Sequence, residues 1–205
     1  MEYIGDVFYD YGGGLYVNMT NRCPCRCAFC IRELVGSLGD ADSLWLKREP
    51  TEDEIFEMLR AQNFSKYHEI VFCGYGEPTE RLDILLKICD EIHEKTKLKT
   101  RLNTNGLSDL INGRPTAKDF EGRLDAISIS LNAPTREEYN ELCKPKFGLA
   151  AFDEIIRFTE EVKSYVPDVT MSVVSGSISR QAIESCREIA ETQLHVKFRI
   201  SELLY

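Results

Sequence analysis

Long apolar runs are missing from this sequence of 205 residues. A helix that spans a bilayer needs about 20 consecutive apolar residues, and no segment approaches that length. The first residues, MEYIGDVFYDYGGG, also lack the basic stretch that opens a secretory signal peptide. We therefore expect a cytoplasmic protein without a membrane partner.

Basic residues are also in short supply, with 25 Lys and Arg against 34 Asp and Glu and a formal net charge of -9. Nucleic-acid binding is driven by clustered Lys and Arg, so this balance does not favour a nucleic-acid partner, although a local basic patch would override it. Histidine is scarce as well. The three histidines, His68, His93 and His195, have no ligand spacing.

Nothing in the sequence marks an internal boundary, because it has no repeat, no low-complexity tract and no Pro/Gly/Ser-rich linker. With 43% hydrophobic residues, the chain can bury one sizeable core, and we expect a single domain over residues 1–205. This length is a little short for a complete eight-unit barrel of about 250 residues.

Six short apolar segments have strand character, and most segments between them have helical periodicity. The strands are expected at residues 15–20, 69–73, 99–103, 126–131, 169–174 and 196–200. This alternation predicts an α/β fold with mainly parallel strands and right-handed crossovers. On this pattern alone, an open sheet and a barrel are both compatible with the sequence.

The connecting helices carry their own signals. Thr51 with Glu54, and Thr135 with Glu138, have the spacing of a capping box and open two helices after prolines. Apolar residues at helical spacing predict further helices around residues 82–92, 152–162 and 182–189.

Polar side chains share one face of several predicted strands, namely Asn18, Arg101, Asn103, Ser128, Ser130, Lys197 and Arg199. A flat sheet covered by helices rarely tolerates such a face, because burying an unpaired charge is costly. The pattern favours a curved sheet with a polar lumen, whose basic groups meet water, a cofactor or an anionic ligand. Salt bridges at a sheet edge are the alternative.

Four of the eight cysteines lie within an eight-residue loop directly after the first predicted strand. Such crowding does not suit a disulfide framework. Cys23, Cys27 and Cys30 have C-x3-C-x2-C spacing at the C-terminal end of a strand, where parallel barrels carry chemistry. Three thiolates on one loop can hold three corners of a four-iron cluster and leave one iron open.

Structural zinc is the competing interpretation of the same loop. A closed zinc site usually takes two separated pairs of ligands, and the sequence has no second pair. Cys25, Cys73 or Cys143 would have to complete it. Otherwise Cys25 and Cys143 are expected to be cysteines without a role.

Phe29 precedes the last cysteine of the motif, and the loop then resembles the signature of the radical S-adenosylmethionine (SAM) superfamily. The resemblance implies a cysteine loop over residues 21–36, with Cys23, Cys27 and Cys30 as the catalytic and metal-binding residues of a [4Fe-4S] cluster. In that family, SAM binds the open iron and is reductively cleaved to methionine and a 5′-deoxyadenosyl radical, which abstracts hydrogen from the substrate. The implied electron donor is a reduced flavodoxin or ferredoxin.

Other segments match the same family in the right order. Gly74, Tyr75, Gly76 and Glu77 resemble the GGEP motif that receives the methionine ammonium, with Tyr75 in place of the central glycine; a plain tight turn is the alternative. The further implied SAM-binding residues, besides Phe29, are Asn103, Ser128, Ser130, Asn132, Val174 and Arg199. For Asn103, the Asn-Gly turn at residues 105–106 is an equally good explanation.

The resemblance runs from residue 15 to about residue 201 and implies a partial (β/α)6 TIM-like barrel without a C-terminal auxiliary-cluster domain. The segments at 15–22, 30–32 and 74–79 most resemble the TatD-associated radical SAM proteins. An uncapped core suggests a protein or other macromolecular substrate, whereas Arg101, Lys197 and Arg199 suggest an anionic one. A glycyl-radical-activase-like protein, a wyosine-synthase-like tRNA modification enzyme and a non-catalytic iron-sulfur or zinc-binding module are the alternatives.

Overall fold

The computed structural model of the protein describes residues 3–34 and 36–202. A single sheet of seven strands, in the order β1-β2-β3-β4-β5-β6-β7, organises the described chain. The strands are β1 (Phe8–Tyr11), β2 (Gly14–Val17), β3 (Glu69–Phe72), β4 (Lys99–Thr104), β5 (Ala126–Ser130), β6 (Asp168–Val174) and β7 (Lys197–Ser201).

The α-helices are α1 (Ile31–Leu34), α2 (Glu52–Arg60), α3 (Leu82–Lys95), α4 (Ser108–Asn112), α5 (Arg136–Cys143), α6 (Ala150–Val162) and α7 (Arg180–Arg187). Short 3-10 turns lie at Phe64–Lys66, Pro78–Arg81 and Ala117–Phe120, and a π-helical segment, Glu188–Gln193, continues α7. Across the residues described, none of the helices is long and apolar enough to cross a membrane.

The order of the strands identifies the architecture. β1 and β2 form an antiparallel hairpin, and β2 to β7 are parallel, each beside its neighbour in the chain. A doubly wound sheet reverses its strand order, whereas this sheet winds in one direction, as a TIM-like barrel does. Within the described chain β1 and β7 do not pair, so the barrel is partial. The six predicted parallel strands are confirmed, and β1 is an addition that the sequence did not predict.

The two faces of the sheet differ as the strand patterns predict. Ile127 and Ile129 of β5 are buried in the main core, and successive residues of a strand point to opposite faces. Ser128 and Ser130 therefore share the other face, with Asn103 and Thr170 each paired to Ser128 in the ladder. This arrangement confirms the polar lumen.

The predicted helix starts are also confirmed. Thr51 Oγ1 accepts a hydrogen bond from the Glu54 N–H, and the Glu54 carboxylate accepts one from the Thr51 N–H, at 2.8 Å. Thr135 caps α5 by accepting from the Glu138 N–H at 3.3 Å. These caps satisfy amides that have no partner within the first turn of a helix.

Candidate active site

The cysteine motif lies between β2 and α1, at the edge of the sheet where the parallel strands end. Cys23, Cys27 and Cys30 are half-buried, Cys25 is buried, and all eight cysteines of the chain are free thiols. The loop thus places three half-buried cysteines at the end of the barrel where the parallel strands end.

Sulfur contacts link most of this loop. Cys25 is a hydrogen-bond partner of both Cys23 and Cys27, and Cys27 also contacts Cys143. The contact with Cys25 and burial raise the pKa of the Cys23 thiol. The contact with Cys143 raises the pKa of Cys27, and burial adds to that effect. Metal binding would therefore have to displace protons from these thiols.

Nitrogen donors are directed at two of the sulfur atoms. Arg32 Nε donates to Cys30 Sγ at 3.3 Å, and Asn105 Nδ2 donates to Cys23 Sγ at 3.9 Å. The sequence predictions assigned no role to Arg32 or Asn105. Their signals were an arginine two residues after the motif and an asparagine at the end of a parallel strand.

The end of α5 supports the loop from behind. The Arg26 N–H donates to the Cys143 carbonyl at 2.9 Å, and the Ala28 N–H donates to the Leu142 carbonyl at 3.0 Å. The Lys146 N–H donates in the other direction, to the Pro24 carbonyl, at 2.8 Å. Carbonyls in the last turn of a helix have no partner within it, so the cysteine loop and the helix end satisfy each other.

The glycines after β3 are explained by packing within the protein. A Cβ on Gly74 would lie 2.2 Å from Asn18 Oδ1, and a Cβ on Gly76 would lie 2.1 Å from the Thr20 carbonyl oxygen. These distances are too short for any side chain. The two glycines therefore allow the loop after β3 to lie against the segment that leads into the cysteines; close approach to a ligand stays a prediction.

Glu77 connects the ends of two neighbouring strands. Its Oε1 accepts from Thr79 Oγ1 at 2.8 Å and from Thr104 Oγ1 at 2.7 Å, and its Oε2 accepts from the Asn105 N–H at 2.8 Å. Burial raises the pKa of Glu77, and these hydrogen bonds oppose that rise. Through Asn105, Glu77 positions a donor beside Cys23; a contact between Glu77 and the methionine ammonium stays a prediction.

Tyr75, which replaces the central glycine of the motif, is buried. Its ring meets Trp45 edge to face at a centroid distance of 5.2 Å, and burial raises the pKa of its hydroxyl. The guanidinium of Arg32 lies 5.8 Å from the centroid of the same Trp45 ring. Tyr75 thus supports the aromatic ring over which Arg32 reaches Cys30.

Charges on the lumen face are mostly paired. Arg101 makes a forked ion pair with Glu69, at 3.0 and 2.7 Å, and Lys197 Nζ lies 2.7 Å from Asp168. Arg199 Nη2 instead donates to the Ser128 hydroxyl at 3.0 Å. The salt-bridge alternative therefore applies to Arg101 and Lys197 and not to Arg199.

The remaining predicted residues are more dispersed. Asn103 accepts from Arg101 Nη1 at 3.0 Å, and Ser130 pairs with Ser172 in the ladder. Asn132 has a φ of 61°, and its buried amide lies 3.6 Å from Cys143 Sγ, which places it behind the cysteine loop. Val174, at the end of β6, is half-buried, and Phe29 packs against the main core.

The side chains present fit an iron-sulfur cluster in their chemistry. Over residues 3–34 and 36–202, no three His, Cys, Asp or Glu side chains already stand as a metal site. Three half-buried thiols on one loop are nevertheless the usual donor set of such a cluster, and N–H donors next to ligands are typical supports. Cys23, Cys27 and Cys30 are the residues that would hold it.

Two known proteins are among those similar to this chain in sequence. The probable GTP 3′,8-cyclase of Thermococcus kodakarensis is 29% identical over 169 residues, covering 79% of this chain and 48% of that protein. The probable dual-specificity RNA methyltransferase RlmN of Caldicellulosiruptor saccharolyticus is 22% identical over 138 residues, covering 65% of this chain and 38% of that protein. The chain thus spans about half or less of the length of these relatives.

Among solved structures, Streptococcus suis SuiB bound to the precursor peptide SuiA superposes with a TM-score of 0.67 at 17% identity, covering 95% of this chain and 40% of SuiB. A likeness at this identity supports the fold alone. The model of the radical SAM superfamily matches residues 17–189. With the cysteine loop at the C-terminal edge of a partial barrel, this match places the chain in the radical SAM superfamily, whose enzymes bind SAM and a [4Fe-4S] cluster.

Proposed function

We propose that this enzyme holds a [4Fe-4S] cluster on Cys23, Cys27 and Cys30 and cleaves SAM reductively to a 5′-deoxyadenosyl radical that abstracts hydrogen from an anionic substrate. The observation that carries the proposal is the position of the three thiols at the mouth of a polar lumen, with N–H donors directed at two of them. The cluster would supply the single electron that this cleavage needs.

SAM would lie across the ends of the parallel strands. Gly74 to Glu77 would face its methionine part, and Asn103, Ser128, Ser130, Asn132 and Val174 would face its ribose, carboxylate and adenine. This assignment is supported by the shared lumen face of Asn103, Ser128 and Ser130. It has less support at Asn132, whose amide is directed at Cys143.

An anionic substrate is favoured by the uneven pairing of lumen charges. In the described part of the chain, Arg199 has no carboxylate within ion-pair distance, whereas Arg101 and Lys197 each have one. A guanidinium that also touches a serine hydroxyl is well suited to a carboxylate or a phosphate. The name of the T. kodakarensis relative indicates a nucleotide substrate, which is of this class.

A peptide or other macromolecule is the second candidate substrate. Its support is the SuiB structure, which holds a precursor peptide, together with the barrel edge at β7, where three of the five residues of the strand are exposed. A glycyl-radical-activase-like role belongs to this candidate. A wyosine-synthase-like role on tRNA has the RNA methyltransferase relative in its favour and the net charge of -9 against it.

The proposal also includes a cellular compartment, an electron donor and a subfamily. We place the protein in the cytoplasm, because eight free thiols are typical of a reducing compartment. Reduced flavodoxin or ferredoxin is the proposed electron donor. The motifs at residues 15–22, 30–32 and 74–79 support a TatD-associated subfamily within the superfamily.

Cluster binding is tested by anaerobic reconstitution. We expect brown protein with about four irons per chain that forms 5′-deoxyadenosine from SAM with dithionite. Cys27→Ala should lose both iron and SAM cleavage, whereas Cys186→Ala, a buried cysteine on α7, should keep both. Colourless protein loaded with zinc, or a Cys27→Ala variant with full iron and native cleavage, would overturn the proposal.

The anion site is tested with Arg199→Ala. Losing a hydrogen bond to a charged group costs about 1.5–3 kcal/mol, so we expect affinity for SAM, or inhibition of SAM cleavage by inorganic phosphate, to weaken about tenfold or more. Iron content should not change. Lys197→Ala, on the same strand, is the control because its cation is already paired. If Arg199→Ala leaves both affinities unchanged, the anion site is excluded.

A further inference from the structure

We propose that Arg32 sets the reduction potential of the cluster by donating a charged hydrogen bond to the sulfur of Cys30. The proposal depends on cluster binding, as proposed above, and adds a tuning residue outside the cysteine motif.

The guanidinium of Arg32 is held in place from three directions. Its Nε lies 3.3 Å from Cys30 Sγ, its Nη1 donates to the Asn21 carbonyl at 3.2 Å, and its Cζ lies 5.8 Å from the centroid of the Trp45 ring. Tyr75 in turn packs edge-on against Trp45. A side chain fixed at several points keeps its donor directed at the sulfur without a large loss of entropy on binding.

Arg32 also keeps its charge uncompensated. In the part of the chain that the structure describes, no carboxylate lies within ion-pair distance of Arg32, whereas the neighbouring Arg22 is paired with Glu49 at 2.7 Å and Glu80 at 3.4 Å. Arg32 is half-buried, so water screens its charge less than it would on the surface. The positive charge therefore acts mainly on the cysteine loop.

The direction of the effect follows from electrostatics. Reduction adds one negative charge to the cluster and its thiolates, and a nearby cation stabilises that state more than the oxidised one. Hydrogen bonds to the sulfurs and net charge are known determinants of cluster potentials. Arg32 should therefore raise the potential and make reduction easier. The amide of Asn105 is neutral and 3.9 Å from Cys23 Sγ, so its effect should be smaller.

The test is a redox titration of the reconstituted holoprotein without SAM, followed by electron paramagnetic resonance. For Arg32→Ala we expect the equilibrium constant for one-electron reduction to fall about tenfold, which corresponds to a potential lower by about 59 mV for one electron. Arg32→Lys keeps the charge and should recover part of the shift. Arg32→Gln replaces the charged guanidinium by a neutral amide donor. Its reduction potential should shift in the same direction as that of Arg32→Ala.

Arg26→Ala is the matched control. Arg26 lies in the same loop and carries the same charge, but its side chain is exposed, so its removal should leave the potential unchanged. Equal shifts for Arg26→Ala and Arg32→Ala, or no shift for Arg32→Ala and Arg32→Gln, would overturn the proposal. A wild-type protein that binds no cluster would instead overturn the proposed function, so the two failures are distinguishable.

Discussion

At the scale of single residues, Tyr75 shows how a departure from a family pattern is accommodated. The superfamily motif has glycine at this position, and the backbone of Tyr75 still approaches Asn18, its N–H lying 3.4 Å from Oδ1. The ring packs into a small cluster with Tyr9, Ala41 and Leu44. The close contact with the segment before the cysteines occurs at the two flanking glycines, Gly74 and Gly76. The middle position can therefore have a side chain.

Gly76 should tolerate no side chain. Gly76→Ala would place a Cβ 2.1 Å from the Thr20 carbonyl oxygen and 2.8 Å from the Arg22 carbonyl oxygen, and backbone atoms cannot yield as a flexible side chain can. We expect a loss of about 1–3 kcal/mol or more in the free energy of unfolding, measured by urea denaturation, together with reduced iron loading.

Gly36→Ala is the control for this prediction, because nothing lies within 4 Å of a Cβ built at Gly36. Gly36 ends the cysteine loop and Gly76 packs against the segment that leads into it, so a general effect of alanine near this loop would appear in both variants. A Gly76→Ala protein as stable as Gly36→Ala would contradict the interpretation.

The cysteine motif was easier to recognise in the sequence than the contacts around it. Spacing alone marks Cys23, Cys27 and Cys30, since all three lie on one loop. The partners of Glu77 could not be predicted, because Thr104 and Asn105 are distant in sequence and meet Glu77 only when β3 and β4 pair. Arg32 was likewise not assigned a role, and the Trp45 ring beside its guanidinium comes from a different segment of the chain.

At the scale of elements, the parallel strands and their connecting helices were predictable because each carries its own periodic pattern. β1 was not, because a four-residue strand owes its conformation to pairing with β2 more than to its own residues. The first predicted strand also extended beyond the observed C-terminal end of β2. It was expected at 15–20 but ends at Val17, since the side chain of Asn18 donates to the carbonyls of Asp6 and Leu44.

A carboxylate at the start of α2 should make the free energy of unfolding depend on pH. Hydrogen bonding to Arg48 is the main cause that lowers the pKa of Glu54 from 4.5 to about 2, and the Thr51 N–H adds to it. Because the folded-state pKa is below the unfolded value, the stabilisation is fully present above about pH 4.5 and is lost as the pH falls towards 2.

Glu54→Gln should therefore be less stable than the wild type at pH 7, and the difference should narrow as the pH falls from 4.5 to 2. Thermal unfolding at a series of pH values measures this. Glu57→Gln, exposed on the same helix, should show no such narrowing. A gap for Glu54→Gln that stays constant with pH would argue against the role of the carboxylate charge.

At the scale of the whole molecule, one apolar core lies between the sheet and the helices on its outer face. Phe158 of α6 is fully buried there and meets Phe120 edge to face at 6.3 Å. Phe158→Ala should lower the free energy of unfolding by about 3–5 kcal/mol, because the cavity cannot close fully. Leu149→Ala, at a side chain that is 49% exposed, should change it by less than about 0.5 kcal/mol.

Urea denaturation of both variants measures the difference. A loss at Phe158 no larger than at Leu149 would mean that the outer helices contribute little to the stability of the sheet. The same measurement on the reconstituted protein should give a higher stability for each variant, since a ligand that binds only the folded state adds to its stability.

The hydrogen bonds between the cysteine loop and the last turn of α5 limit how the motif could be transferred to another protein. Eight residues cut from this protein and placed on another scaffold would leave the amides of Arg26 and Ala28 without the carbonyls that now receive them. A working transplant would have to bring along a helix ending at the same place, so the unit of design is the loop together with a helix more than a hundred residues away in the sequence.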